Sequence, residues 1–209
     1  MLKAPVPSDE LQRLKKLDEY QILDTLQEQE LDEITKTAAQ ICNCKISLIS
    51  LVDANRQWFK SKHGLRASET PRDISYCGHA ILGDDLFIVE DSELDERFCD
   101  NPLFLQEPHV RFYAGAPLIT GDGQRIGTLC VIDSEKRTLD DKQRLMLKCL
   151  SKQVITIFET RKLLFEKQNN EFLLNEVQKN AHIGGWELDV KTLKTKWTDE
   201  VYRIHEVEA

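Results

Sequence analysis

Leu11, Leu14 and Leu17 recur three residues apart behind Ser8 and the acids Asp9 and Glu10, which suit a helix N-terminus. The spacing predicts a short amphipathic helix over 8–17 with a serine cap. A second helix is expected after Thr25, whose spacing to Glu28 fits a capping box, with Leu31, Ile34, Ala38 and Ile41 on one face. From Lys45 the period shortens. Residues 46–52 are apolar and rich in β-branched side chains, 53–56 supply turn residues, and 57–61 return as a paired strand. A loop is expected over 64–71, a short helix over 75–82, a strand over 86–90 and an irregular polar stretch over 91–108. The runs 112–119 and 126–132 flank Thr120-Gly121-Asp122-Gly123, and Asp-Gly between apolar runs is a hairpin signal. These elements predict an α+β fold with a mainly antiparallel sheet.

From Leu139 to about Lys179 there is neither proline nor glycine, and the run is charged with an apolar stripe, so one long helix is expected. Leu147, Leu150, Val154, Ile157, Arg161 and Leu164 follow the three-four alternation of a coiled-coil seam with one polar interruption. The first half of that stripe suits the helix's own sheet as well as a second chain. Beyond Phe165 the sheet is too short to cover it, and pairing with a second copy is expected. Asn169-Asn170 weaken the helix and are expected to mark a joint.

Composition narrows the class. The 209 residues are 41% hydrophobic and 31% charged, as for a soluble globular chain carrying a solvated helix. A formal net charge of -8 argues against a nucleic-acid or anionic-membrane partner. The N-terminus lacks an apolar signal region and no stretch reaches the roughly 18 apolar residues a membrane span needs, so a cytoplasmic protein is expected. The six cysteines are expected to be free thiols, with Cys130 a small core hydrophobe. Cys42-x-Cys44 and Cys77-x-His79 offer four soft ligands without the paired spacing of a structural zinc site, so no metal is expected.

Several stretches carry a family resemblance. Residues 46–53 followed by Arg56-Gln57-Trp58-Phe59-Lys60 closely resemble the opening hairpin of bacterial signalling GAF domains, as does Glu69-Thr70-Pro71-Arg72-Asp73-Ile74-Ser75-Tyr76-Cys77-Gly78-His79-Ala80-Ile81. Arg97-Phe98, Asp100-Asn101-Pro102, Arg111-Phe112-Tyr113-Ala114-Gly115-Ala116-Pro117-Leu118 and Ile126-Gly127-Thr128-Leu129-Cys130-Val131-Ile132-Asp133 continue it in family order. The tail, Ile183-Gly184-Gly185-Trp186 through Trp197-Thr198-Asp199-Glu200 to Ile204, resembles the opening strands and first helix of a PAS domain. The expected organisation is a GAF core over 1–138, a connecting and dimerisation helix over 139–179 that completes the GAF domain in its first half, and a PAS fragment over 180–209, with the rest of that domain belonging to a longer protein.

The resemblance implies a GAF-like antiparallel sheet flanked by helices with a long C-terminal connecting helix. It implies a regulatory module without a reaction of its own, acting as a parallel homodimer on a downstream histidine kinase or diguanylate cyclase. Two other classes exist in the family: a free methionine sulfoxide reductase and a bilin photoreceptor. Neither the thiol positions of the first nor the adjacent Cys-His of the second is recognised here, and no covalently bound cofactor is expected. A family ligand, whose identity the resemblance leaves open, sits between sheet and cover, which makes Trp58, Tyr76, His79, Arg111 and Tyr113 the pocket candidates. Trp58 and Tyr113 are expected to be core residues first, Arg111 to pair with an acid such as Asp91 or Asp100, and His79 to bond backbone. Leu150, Val154, Ile157, Arg161 and Leu164 are the expected dimer contacts.

Overall fold

A computed structural model describes residues 1–181 and 183–206. The chain divides into two compact units, Met1–Thr160 and Arg161–Ala209. In the first, α1 (Glu10–Glu19) and α2 (Gln29–Cys42) precede β1 (Ile46–Val52), β2 (Arg56–His63) and β3 (Glu69–Pro71). The short helix α3 (Tyr76–Ala80), the edge strand β4 (Phe87–Val89) and the short helix α4 (Pro102–Leu105) follow. β5 (Phe112–Ile119), β6 (Arg125–Asp133) and the start of α5 (Asp141–Ala181) complete it. The strands form one antiparallel sheet in the order β3-β2-β1-β6-β5-β4.

The central pairing depends on Gly127. A Cβ there would stand 2.1 Å from the Ser50 carbonyl oxygen, so only glycine lets β6 approach β1 at the Leu51–Gly127 register. On the other side of β1 the register passes from Ile49–Ser61 to Ser50–Phe59, which makes Lys60 the extra residue of a bulge. The bulge turns Lys60 and Ser61 toward the same helix. Lys60 is fully buried, and its Nζ donates to Thr25 Oγ1 at 2.7 Å and the Leu26 carbonyl at 2.5 Å and pairs with Glu28 at 2.7 Å. Ser61 Oγ donates to Asp32 at 2.5 Å. Thr25 is therefore drawn into this cluster and caps nothing: α2 begins three residues later than its spacing suggested, behind Glu28, with no side-chain cap.

α1 also differs from expectation. Its N-cap is Asp9 rather than Ser8, with no side-chain cap bond, and Leu11 is exposed. The inner face is Arg13 and Leu17. Arg13 is buried because its charge is matched: it pairs with Glu10 at 2.8 Å and donates to the Val52 carbonyl at 2.6 Å. Arg72 joins Glu10 from the other side at 2.5 Å. The expected 64–71 loop contains β3, and the irregular 91–108 stretch contains a 3-10 turn, Ser92–Leu94, and α4.

α1, α2 and the first turns of α5 cover one sheet face around Ile49, Leu51, Leu129 and Val131. Leu147, Leu150, Val154 and Phe158 of α5 are buried in that core. The expected assignment of Leu150 and Val154 to a dimer seam is thus corrected: their apolar area is already removed from water by their own sheet. Ile157 is partly buried against the same core. Tyr20 fixes the helix by donating to Glu159 at 2.5 Å.

In the second unit α5 runs unbroken through Asn169-Asn170 to Ala181, with Leu164, Phe165 and Phe172 exposed. β7 (Trp186–Asp189) and β8 (Lys194–Trp197) then pair as a hairpin ahead of α6 (Asp199–Ile204). Within the expected 180–209 segment, His182 and residues 207–209 lie outside the described residues. Among the described residues no helix is long and apolar enough to cross a membrane.

Candidate functional site

The sheet face opposite α2 and α5 is covered by α3, α4 and the loop between β4 and β5. Each cover element is short and held by local polar chemistry. Ser75 caps α3 by accepting from the Gly78 amide at 2.7 Å, and Asn101 caps α4 by accepting from the Leu103 amide at 2.8 Å. Asn101 Nδ2 also donates to the Ile74 carbonyl at 3.0 Å, tying the two starts together.

Under this cover lies an aromatic layer. Tyr76 stacks on Phe98 with centroids 4.0 Å apart and on Tyr113 at 5.2 Å, and Phe87 closes on Tyr113 at 6.0 Å. The Tyr76 hydroxyl lies 2.9 Å from Ser92 Oγ and 3.2 Å from the Val110 carbonyl, and burial pushes its ionisation well up. The Tyr113 ring lies along its own strand over Gly115, where a Cβ would meet its hydroxyl at 2.3 Å. Tyr76 and Tyr113 are 2% and 1% exposed, enclosed within this layer.

His79 sits at the outer edge of this layer, edge-on to Phe98 at 5.0 Å, with Nε2 3.1 Å from the Leu2 carbonyl. Burial holds its pKa below the usual histidine value. The N-terminal segment is thereby laid over α3: the Leu2 amide donates to the Arg97 carbonyl at 3.2 Å, and Lys3 pairs with Asp73.

Two pocket candidates belong elsewhere. Trp58 pairs with Leu51 across β1 and β2 and points into the α2 and α5 core. Side-chain alternation puts it on the face opposite Phe59, so it is removed from Tyr76 and Tyr113. Arg111 turns outward, with Nε 2.9 Å and a terminal nitrogen 3.1 Å from the Asp91 carboxylate and a further contact to Glu93. That fork holds the Asp91 carboxyl below the usual range, and of the two acids expected for Arg111 it takes Asp91. A cleft of 860 Å³ opens near Ile88, Asp91, Lys136, Arg137, Cys42 and Gln143. Asp91 is committed to Arg111 there, and Arg137 to Asp133 at 2.9 Å.

Sequence reading missed the polar centre of the aromatic layer. Cys77, Thr128, Tyr113, Ser50 and Cys130 converge there. Cys77 Sγ lies 3.2 Å from Thr128 Oγ1 and 3.4 Å from the Tyr113 hydroxyl. Burial alone would raise the Cys77 thiol, but the polar groups around it, among them the Thr128 and Tyr113 hydroxyls that donate to its sulfur, bring it below its usual value. Cys130, equally buried, is pushed well above its own by the influence of Cys77 and by burial. Cys77 and Cys130 are 53 positions apart, and no spacing rule connects a cover helix to the middle of a strand. Among the described residues no group of three or more His, Cys, Asp or Glu could hold a metal.

The geometry defines an α+β domain with one sheet face closed by long helices and the other by a thin cover over aromatic and thiol groups. Residues 27–157 match the GAF domain family, and the chain belongs to it. It is 41% identical over 161 residues to a cyclic di-GMP phosphodiesterase of Pseudomonas aeruginosa, a match covering 77% of this chain and 27% of that protein. The chain therefore spans about a quarter of that relative's length. Among solved structures, the GAF domain of an Acinetobacter phosphoenolpyruvate-protein phosphotransferase superposes with a TM-score of 0.54 at 15% identity, covering 75% of this chain and 96% of that one. A free methionine-R-sulfoxide reductase from Neisseria meningitidis, bound to its substrate, gives a TM-score of 0.54 at 16% identity over 78% of this chain and 98% of that one. These two share the fold with this chain and nothing finer.

Proposed function

We propose that this chain is the regulatory GAF module of a signalling protein, passing a change at its α3 cover along α5 to an output concerned with cyclic di-GMP. The observation that carries the reading is the 41% identity to a cyclic di-GMP phosphodiesterase over a stretch the size of the GAF unit. A diguanylate cyclase output fits the same second messenger, and a histidine kinase output is the alternative. The module has no reaction of its own, and two of its polar pocket candidates are engaged within the chain, Arg111 with Asp91 and His79 with the Leu2 backbone. The segment from Ile183 is the opening of a PAS domain. Two copies pair in parallel through Leu164 and the exposed apolar residues after it, with Arg161 at the seam.

The test incubates the purified chain with cyclic di-GMP and, separately, with free methionine sulfoxide and a dithiol. Neither should be consumed, and turnover of either would make the chain an enzyme and overturn the reading. Light scattering across a micromolar concentration series should show a dimer that Leu164→Glu with Phe172→Glu splits. A monomeric unmodified chain, or a double variant that stays dimeric, removes the pairing from the proposal.

A further inference from the structure

The residues ahead of α1 lie across α3. Both backbone groups of Leu2 are gripped there: its amide donates to the Arg97 carbonyl at 3.2 Å, and its carbonyl lies 3.1 Å from His79 Nε2. Lys3 pairs with Asp73, and the Met1 amino group with Asp100. Ala4 lies against the Gly78 backbone, where a Cβ would meet the Ala4 methyl at 3.3 Å. We propose that Leu2, Lys3 and Ala4 form a releasable strap over α3, and that protonation of His79 lets the strap go.

The strap is held by polar contacts with little apolar burial. Leu2 and Val6 are 59% and 68% exposed, so few apolar atoms leave water when the segment docks. Asp73 and Asp100 are exposed carboxylates, and ion pairs at such groups contribute little. The bond from His79 differs because its ring is buried. The ring stacks beside Phe87 at 6.2 Å and stands edge-on to Phe98 at 5.0 Å. A segment held this weakly elsewhere takes its position from that one contact.

A neutral imidazole suits this site and an imidazolium does not. Neutral His79 has one N–H to place, and on Nε2 it donates to the Leu2 carbonyl. A second proton puts a full charge on a residue only 8% exposed, close to the Arg97 guanidinium. That guanidinium lies 4.8 Å from the Phe87 ring centre and 5.3 Å from that of Phe98. Asp95 would offset the new charge, but both its oxygens already accept from Arg97, at 2.9 and 2.6 Å. Of the other elements around the ring, β4 offers the Phe87 face and the strap offers the Leu2 carbonyl, which an imidazolium would hold more strongly. Burial outweighs that gain and keeps the His79 pKa below its ordinary 6.5. The charged ring therefore turns out to water and takes the Leu2 contact with it. The closed state binds this proton less readily than the open one, so closure is fully favoured above about pH 6.5 and is lost as the pH falls below it.

Release is a property of the unit itself and does not depend on the signalling output, so its test stands apart from that of the regulatory reading. Magnetic-resonance spectra of the isotope-labelled native chain are recorded from about pH 7.5 to about pH 5, across the ordinary histidine range. Cross-relaxation between Ala4 and Gly78 should be present at the upper end and fall at least about fivefold at the lower one. Its midpoint should coincide with that of the His79 ring protons and lie below about 6.5. His79→Gln keeps a neutral N–H for the Leu2 carbonyl, and over the same range its Ala4 contact should change by less than about twofold. The native titration decides the matter without any variant having to fold. A contact between Ala4 and Gly78 that survives to the lower end, that is missing already at the upper one, or that fades with a midpoint other than that of His79 overturns the proposal.

Discussion

The two faces of the sheet bury their side chains differently. On the α2 and α5 face, aliphatic residues such as Ile49, Leu51 and Val154 pack without polar atoms at the centre, and the buried charges Arg13 and Lys60 hold its rim through Glu10 and Glu28. On the α3 face, aromatic rings enclose hydroxyls and thiols, and the cover is built from helices of five and four residues. Long helices over an apolar face supply stability that a small perturbation cannot redistribute. Short capped turns over a polar cluster open at lower cost and can respond to a chemical change. Stability and response are thus assigned to opposite sides of one sheet.

The comparison is sharpened most by truncating the first face. Phe158→Ala and Trp58→Ala each remove a ring buried in the core on the α2 and α5 side of the sheet, and denaturant melts should show losses of about 3–5 kcal/mol. A loss below about 1 kcal/mol for both would mean that this face does not carry the fold.

A smaller effect is expected at its rim. Burial alone would raise the Glu10 carboxyl, but Arg13 and Arg72 hold it at about 2, below its ordinary 4.5. The folded state therefore binds this proton less readily than the unfolded chain. Its contribution is full above about pH 4.5 and is lost as pH falls toward about 2. Glu10→Gln should cost about 1.5–3 kcal/mol at neutral pH, as for a hydrogen bond to a charged group, and the difference from the unmodified protein should shrink through that window. A difference that stays constant from pH 6 to pH 2, roughly spanning the titration, would mean the carboxylate is not held by the two arginines.

The least costly change lies on the second face. Tyr113→Phe keeps the ring and removes the hydroxyl at Cys77 and Thr128, so melts should fall by only about 1 kcal/mol. A loss comparable to that of Phe158→Ala would show the polar cluster to be structural and erase the contrast between the faces.

Much of this was legible from the pattern of apolar residues. Strands 46–52 and 112–119, the Asp122-Gly123 turn and the long helix follow from periodicity and turn chemistry alone. What failed did so for local reasons. The Lys60 bulge recruited Thr25, which otherwise reads as a cap. A strand's period separates Trp58 from Phe59 without saying which face holds the cover. The stripe through Leu150 and Val154 has the same spacing whether it meets a sheet or a second helix. The Cys77 cluster required Tyr113 and Thr128 from two different strands, a coincidence of register that no short motif encodes.

Hydrogen exchange of the native chain compares the faces directly. If the α3 face is the responsive one, amides of Tyr76–Ala80 should exchange through local opening at least about tenfold faster than those of α2 and of β1 and β6. Protection over Tyr76–Ala80 equal to that of the central strands would contradict the account, because the cover would then open only with the whole domain.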